Sequence, residues 1–346
     1  MDLQTALILA QDALTNGAIY ILLAVAMILV LQTTRVLFIP QGEFVSYGAL
    51  TLASLQVGRM PGTVWLLVLL AVVAALAEIV RAFMQRTWRT LPGALARTLI
   101  PALVVAAIAH YMAPAKLGLG WQVLLALLII TPMGPLVYQL AFRPLANASN
   151  VVLFVAAVAL HFALEGFGLL FFGPEGVRTP PFTEKQIDAG FLTLSGQSLC
   201  VYAITIVLIL AMKWFFSNTT YGKALCAVAF NRTGARLVGI SPEMVGAVAM
   251  SVAVGMGALS GILIGPITTV YYDSGFLIGL KGGLGAIVGG FASYPLAGVG
   301  SLIVAGTEAY SSYWVSAYKD VIVFTLIIPI LLWRSMATFH FEEEGE

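Results

Sequence analysis

Eleven apolar segments run through this chain of 346 residues, and their length restricts it to one class of fold. A helix needs about 20 apolar residues to cross the hydrocarbon core of a bilayer. The segments that approach this length lie at 13–31, 37–57, 63–83, 99–114, 120–141, 150–172, 198–216, 244–270, 277–292, 296–314 and 318–334. The second is interrupted by Pro40, Gly42 and Glu43. The sequence therefore predicts an all-α polytopic membrane protein with about ten or eleven transmembrane helices and a broken second segment.

The composition supports a lipid environment. Hydrophobic residues make up 60% of the chain and charged residues 10%, whereas about a quarter of the residues in a soluble domain are charged. A water-soluble domain this apolar would expose large hydrophobic patches and would aggregate. The net charge of +1 provides no field that would attract nucleic acid, so no nucleic-acid partner is expected.

Basic residues predict the orientation in the membrane, because cytoplasmic loops collect lysine and arginine. With the N-terminus outside, eleven basic residues lie on the inner side and five on the outer side. The inner ones are Arg35, Arg81, Arg86, Arg89, Arg97, Arg143, Lys213, Lys223, Arg232, Arg236 and Arg334, and the outer ones are Arg59, Lys116, Arg178, Lys185 and Lys319. We therefore expect an outside N-terminus, an odd number of spans and a cytoplasmic C-terminus.

The loop 217–243 lies on the predicted inner side and is long enough to carry structure of its own. It contains enough alanine, leucine and arginine to form a short helix at the cytoplasmic face, with Arg232 and Arg236 one turn apart. Two interpretations stay open. The segment is either a helix that contacts a partner or a basic loop that only follows the positive-inside rule.

Charged side chains within the apolar segments are informative, because an unpaired charge at the bilayer centre is costly and tends to face the bundle interior. They are Glu43, Glu78, Glu165, Lys281 and Glu308. Glu78 precedes a basic residue by three positions, so an ion pair within one helix accounts for it. Lys281 and Glu308 lie at similar depths from the outer face, counted at about 1.5 Å per residue. We expect them to pair across adjacent helices, with Glu165 as the competing partner and with a structural and a transport role both open.

Sequence signatures of catalysis are absent. The chain contains no phosphate-binding loop of the type GxxxxGK[ST], so we do not expect it to hydrolyse ATP. Its histidines form no HExxH motif, and Cys200 and Cys226 form no CxxC motif, so no metal site is predicted. An intramembrane enzyme built on Ser260 and a histidine would need a shared motif that the sequence lacks. No catalytic residue and no bound cofactor is therefore assigned to this chain.

Three stretches of sequence carry a family resemblance. They are NGAIYILLAVAMILVLQTTRVLFIPQGEFVSYGA at Asn16–Ala49, AFRPLANASNVVLFVAAVALHFALEGFGLLFFGPEG at Ala141–Gly176, and the region from Tyr221 to Leu332 that includes GKALCAVAFNRTGARLVGI, KGGLGAIVGGFAS and AGTEAYSSYWVSAYKDVIVFTLIIPILL. In the order and spacing of these stretches, the chain resembles the integral-membrane permease subunits of ABC importers of the leucine, isoleucine and valine type.

This resemblance implies a single permease domain over 1–346, with a coupling helix at Ala224–Ile240 that inserts into a cleft of a cytoplasmic ATPase. The contact candidates that it implies are Phe230, Asn231, Arg232, Ala235, Arg236, Leu237 and Gly239. The implied partners are a second permease chain, two ATPase subunits that hold ATP and magnesium, and a periplasmic solute-binding protein. The implied location is the inner membrane of a bacterium.

The chain departs from the family pattern in three places. Phe38–Gly42 lacks the asparagine and histidine that the family commonly shows there, which bears on the substrate. Asn231 stands where relatives often have an acidic residue. The region 85–119 is an insertion relative to shorter relatives, and it is either an extra span or an amphipathic hairpin at the inner face.

The function we expect is import of branched-chain amino acids or related small carboxylates or amides, through alternating access driven by the partner ATPases. Broken segments line cavities in transporters, so Pro40, Gln41, Gly42 and Glu43 are the candidates for the translocation path. Glu43 could equally be a neutralised acid packed in the bundle. A secondary transporter or a channel for a small solute is the alternative function.

Overall fold

The computed structural model describes residues 2–86, 91–115, 118–146, 148–188, 193–291, 293–326, 328–330 and 332. Its helices are α1 (Leu3–Thr34), α2 (Gln41–Gln56), α3 (Gly62–Gln85), α4 (Leu91–Met112), α5 (Leu119–Ile130), α6 (Met133–Val137), α7 (Asn150–Phe172), α8 (Gly196–Asn218), α9 (Thr220–Phe230), α10 (Arg232–Leu237), α11 (Pro242–Ile264), α12 (Ser274–Val288), α13 (Tyr294–Trp314) and α14 (Lys319–Thr325). A π-helical turn at Tyr138–Phe142 extends α6. Two short antiparallel strands, β1 (Gln186–Asp188) and β2 (Thr193–Ser195), lie between α7 and α8.

The predicted all-α membrane architecture is confirmed. Within the described residues, seven helical segments are long and apolar enough to cross a membrane. They are Leu3–Thr34, Gly62–Met84, Leu91–Ala115, Leu119–Phe142, Asn150–Phe172, Gly196–Asn218 and Pro242–Ile264. Helices α2 and α12 have only 16 and 15 residues, so at about 1.5 Å per residue neither alone spans the ~30 Å hydrocarbon core. The predicted break in the second segment is therefore the start of α2, directly after Pro40.

Two predicted regions are described only in part. The predicted span 318–334 begins with α14, and its residues 327, 331 and 333–334 lie outside the described residues, as do Arg89, Lys116, Arg334 and the C-terminus. Within 85–119, α4 forms a helix of 22 residues that packs on α3. Only 17% of its most apolar window is buried, so α4 lies at the edge of the bundle, which favours the extra span over the hairpin.

Helix α1 forms the centre of the bundle. It packs against α8, α11, α12 and α13, and 78% of its most apolar 18-residue stretch is buried. Because α8 leads into α9 and α11 follows α10, the two short helices lie together at one end of the bundle. We call this the inner end, and the opposite end the outer end.

Helix α2 packs between α11 and α12 through glycines. A Cβ atom added at Gly48 would overlap the carbonyl oxygen of Ala258, and one added at Gly261 would overlap the carbonyl oxygen of Val45. Small residues allow helices in a membrane to approach this closely. The glycines thus bring the backbone of α2 into direct contact with the backbone of α11.

Candidate functional site

The predicted coupling loop folds into α9 and α10 because two polar side chains cap the helices. Thr219 Oγ1 accepts a hydrogen bond from Gly222 N at 2.9 Å, and Asn231 Oδ1 accepts one from Gly234 N at 2.9 Å. Asn231 has an extended backbone, so the chain changes direction between the two helices. Gly239, with φ +85°, ends the segment in a conformation that glycine adopts easily.

Helices α9 and α10 leave three large apolar side chains in solvent at the inner end. Phe230 is 94% exposed, Leu237 84% and Val238 75%. We call these three residues the inner apolar surface. Exposed apolar clusters of this kind mark sites of contact with other proteins or with a membrane. Of the other predicted contact residues, Asn231, Arg236 and Gly239 are exposed and Arg232 is half-buried, whereas Ala235 is buried and its side chain cannot contact a partner there.

The predicted path residues lie inside the bundle. Pro40, Gln41, Gly42 and Glu43 are all buried, and Gln41 Nε2 donates a hydrogen bond to the carbonyl oxygen of Ala253 at 2.8 Å. A Cβ atom added at Gly42 would overlap the backbone of α12. The broken segment is therefore closed by helix packing in this conformation.

Glu43 contacts a histidine. His161 Nδ1 on α7 lies 2.9 Å from Glu43 Oε1, and Glu165 Oε2 lies 3.8 Å from His161 Nε2. The imidazole ring stacks on Phe276 at a centroid distance of 4.3 Å. Glu43 Oε2 is buried and has no hydrogen-bond partner among the described residues. Sequence reasoning missed His161, although its spacing of four residues from Glu165 places both on one helix face.

Lys281 and Glu308 meet between α12 and α13. Lys281 Nζ lies 2.5 Å from Glu308 Oε1 and 2.9 Å from Asp320 Oδ1, and Tyr20 donates a hydrogen bond to Glu308 Oε2 at 2.6 Å. The Lys281 side chain is 7% exposed and that of Glu308 is 11% exposed, so this is a buried ion pair. Glu165, the competing partner, instead lies beside His161. Nothing in the sequence indicated that Tyr20 and Asp320 would contact this ion pair.

Glu78 belongs to a separate cluster near the inner end. Its Oε1 atom accepts hydrogen bonds from Arg81 at 2.7 Å, Gln139 at 2.8 Å and Arg143 at 3.2 Å. Arg143 also pairs with Glu243 at 2.6 Å, which ties α3 and the π-helical turn to the start of α11. The predicted pair of Glu78 with Arg81 is thus part of a larger structural network. No group of three or more histidine, cysteine, aspartate or glutamate residues in the described part of the chain could hold a metal ion.

The chain is similar to a described protein family and to several named permeases. The profile of the family described as "Branched-chain amino acid transport system / permease component" matches residues 93–331. The chain is 29% identical over 214 residues to the high-affinity branched-chain amino acid transport system permease protein LivH of Salmonella typhimurium, covering 60% of this chain and 70% of LivH. It is 24% identical over 216 residues to the corresponding protein BraD of Pseudomonas aeruginosa, with the same coverage of 60% and 70%.

A permease named for a different substrate also matches over a shorter stretch. The autoinducer 2 import system permease protein LsrC of Salmonella paratyphi B is 33% identical over 148 residues, which cover 42% of this chain and 41% of LsrC. No solved structure matches the chain. Because the family match spans more than half of its length, the chain belongs to the permease components of branched-chain amino acid transport systems, the family that its sequence motifs resemble.

Proposed function

We propose that this chain is the transmembrane subunit of an ATP-driven ABC importer for branched-chain amino acids or related small carboxylates or amides. Family membership and the names of LivH and BraD support the substrate class. The LsrC match is shorter and carries a different substrate in its name, so the amino acids remain the first substrates to test. The chain is a multi-pass inner-membrane protein, and the basic residues of α9 and α10 favour a cytoplasmic inner end, with the N-terminus outside and the C-terminus inside.

The inner apolar surface is the observation that carries the proposal. Phe230, Leu237 and Val238 form an exposed apolar group on short helices that no described part of the chain covers. A cytoplasmic ATPase subunit docked on this surface would bury all three, with Arg236 and Asn231 at the edge. The complete importer contains two permease chains, identical or homologous, two ATPases that hold ATP and magnesium, and a periplasmic solute-binding protein.

Contacts within the chain support a route by which closure of the ATPases would be transmitted to the membrane helices. Helix α9 packs on α1, α8 and α11, and α10 packs on α11, so a displacement of the short helices moves the central helices. Helix α11 in turn holds the start of α2 through Gln41. Opening of the buried segment Pro40–Glu43 during this movement creates the translocation path. Alternating access therefore begins at α9 and α10 and ends at α2.

Affinity purification in mild detergent tests the docking step in cells that express the whole operon. The test variant carries Phe230→Asp and Leu237→Asp, and the matched control is Tyr318→Asp, because Tyr318 is 61% exposed at the outer end. We expect an ATPase to co-purify with the wild type and the control, and at least tenfold less with the test variant. Each variant must elute as monodisperse protein on size exclusion.

Two results would overturn the proposal. Full ATPase recovery with the test variant would show that the docking surface lies elsewhere. Failure of any ATPase to co-purify with the wild type would favour the secondary transporter or channel. In that case the purified chain alone in proteoliposomes should move leucine without ATP.

A further inference from the structure

A large cavity lies at the outer end of the bundle. Its volume is about 770 Å³, within the range of about 300–1,000 Å³ that small-molecule sites occupy. Its walls come from residues 9–16 of α1, the segment that follows α7, the start of α8, the residues just after α11, the end of α13 and the start of α14. Four charged residues line it, namely Asp12, Arg178, Glu308 and Lys319. Two acidic and two basic residues therefore line the same cavity.

Three of these charges lack a partner within the chain. Glu308 is neutralised by Lys281, but no ion pair among the described residues includes Asp12, Arg178 or Lys319. A ligand with charge of only one sign would also face wall residues of the same sign, which repel it. A ligand with one positive and one negative group can satisfy both kinds of residue at once.

Arg178 is held in place by the backbone of the chain. Its Nε atom donates a hydrogen bond to the carbonyl oxygen of Pro266 at 3.1 Å, and its Nη2 atom donates one to that of Ile267 at 3.0 Å. The flanking residues are fixed as well, since Val177 and Val270 form a β-bridge. The guanidinium thus has a fixed position in the wall while Nη1 makes no hydrogen bond to a described residue. A guanidinium fixed in this way is suited to bind a carboxylate.

The remaining wall is partly apolar. Leu9, Pro181, Ile267 and Ala309 line the same cavity as the charged residues. These side chains offer contacts for an aliphatic group, while Asp12 stands on α1 and Arg178 on the segment after α7. Charge of both signs beside an apolar wall matches the chemistry of an aliphatic α-amino acid.

We propose that the outer cavity binds an α-amino acid as its zwitterion, with Arg178 as the carboxylate ligand and Asp12 as the ammonium ligand. This inference rests on the proposed function and deepens it, because it assigns a substrate site on the permease itself. The bound amino acid would lie above Glu308, so the buried Lys281–Glu308 pair forms the floor of the site.

Binding of tritiated L-leucine to the full chain in lipid nanodiscs tests the proposal. The competitors are 4-methylpentanoate, which lacks the ammonium group, and 3-methylbutylamine, which lacks the carboxylate. We expect each to compete at least tenfold more weakly than unlabelled leucine. Arg178→Met and Asp12→Asn should each weaken leucine binding at least tenfold. Arg59→Met, which removes an exposed base outside the cavity, should leave binding unchanged.

The analogues separate a direct role from a folding defect. Arg178→Met should lose the preference for leucine over 3-methylbutylamine, and Asp12→Asn should lose the preference for leucine over 4-methylpentanoate. A variant that merely distorts the cavity would weaken all three compounds alike, which would overturn the assigned roles. Equal competition by leucine and either analogue at the wild-type chain would overturn the zwitterion site.

ATP-dependent leucine uptake by the assembled transporter, measured in parallel, distinguishes this inference from the proposed function. Suppose that the wild type takes up leucine and that neither Arg178→Met nor Asp12→Asn changes leucine binding. This result would overturn the cavity site and leave the proposed function intact. No uptake by the complete assembly and no leucine binding by the chain would overturn both.

Discussion

Removal of the Lys281 ammonium group should destabilise the chain more than removal of either carboxylate partner. Lys281 Nζ lies 2.5 Å from Glu308 and 2.9 Å from Asp320. Lys281→Met leaves two carboxylates without a cation, whereas Glu308→Gln leaves the lysine with Asp320. Breaking a buried pair by removing one partner costs about 3–5 kcal/mol. We expect a loss of this size for Lys281→Met and smaller losses for Glu308→Gln and for Asp320→Asn, whose carboxylate is 39% exposed.

A double-mutant cycle measures the coupling directly. The double variant with Lys281→Met and Glu308→Gln loses the buried acid together with its base. The double variant should therefore be no less stable than Lys281→Met alone. Residues in contact show interaction energies of about 0.5–3 kcal/mol. The free energy of unfolding in mixed detergent micelles, followed by the fluorescence of the 6 tryptophans, gives the four values required. Strictly additive losses, or equal losses for the two single variants, would refute the reasoning.

Three further changes test the packing, the buried histidine and the helix cap. Gly48→Val should abolish the yield of monodisperse protein on size exclusion, because its Cβ would overlap a carbonyl of α11, whereas Gly166→Val meets no atom within 4 Å at its Cβ and should be tolerated. Glu43→Leu leaves the buried His161 Nδ1 unpaired at a cost of about 1–3 kcal/mol, so its thermal unfolding temperature should fall below that of Glu43→Gln, and equal temperatures would contradict this. Asn231→Ala removes a cap worth about 0.5–2 kcal/mol and should reduce ATPase co-purification, while Asn231→Asp keeps an acceptor oxygen and should preserve it.

The membrane helices could be predicted because lipid demands a nearly fixed length of apolar helix with its backbone hydrogen bonds satisfied internally. Counting residues from the outer face also predicted a similar depth for Lys281 and Glu308, and the two side chains form an ion pair between the adjacent helices α12 and α13. Counting residues could not predict the contacts of this ion pair with Asp320, which follows the turn after α13, or with the Tyr20 hydroxyl on α1. Those contacts depend on how helices rotate against each other, which no single segment encodes.

The contact of Glu43 with His161 shows where counting fails. Helix α2 begins inside the bundle, after Pro40, so its depth cannot be measured from a membrane face. The sequence suggested two roles for Glu43, and the structure places it fully buried against a histidine. The sequence analysis predicted one short helix in the coupling loop, whereas the structure has two helices that meet at Asn231. The capping chemistry of Thr219 and Asn231 was the available signal.

The glycine contacts of α2 have a mechanical consequence. At Gly42, Gly48 and Gly261 the helices meet backbone to backbone, so no side chain must change rotamer when one helix slides past another. Helix interfaces that interlock ridges and grooves resist such sliding until a side chain leaves its groove. The resistance to sliding at α2 therefore comes from its polar side chains. Gln41, Glu43, Ser46 and Tyr47 each form a hydrogen bond to a neighbouring part of the bundle. The force needed to move α2 is therefore set by the hydrogen bonds of these four side chains and not by the packing of its glycines.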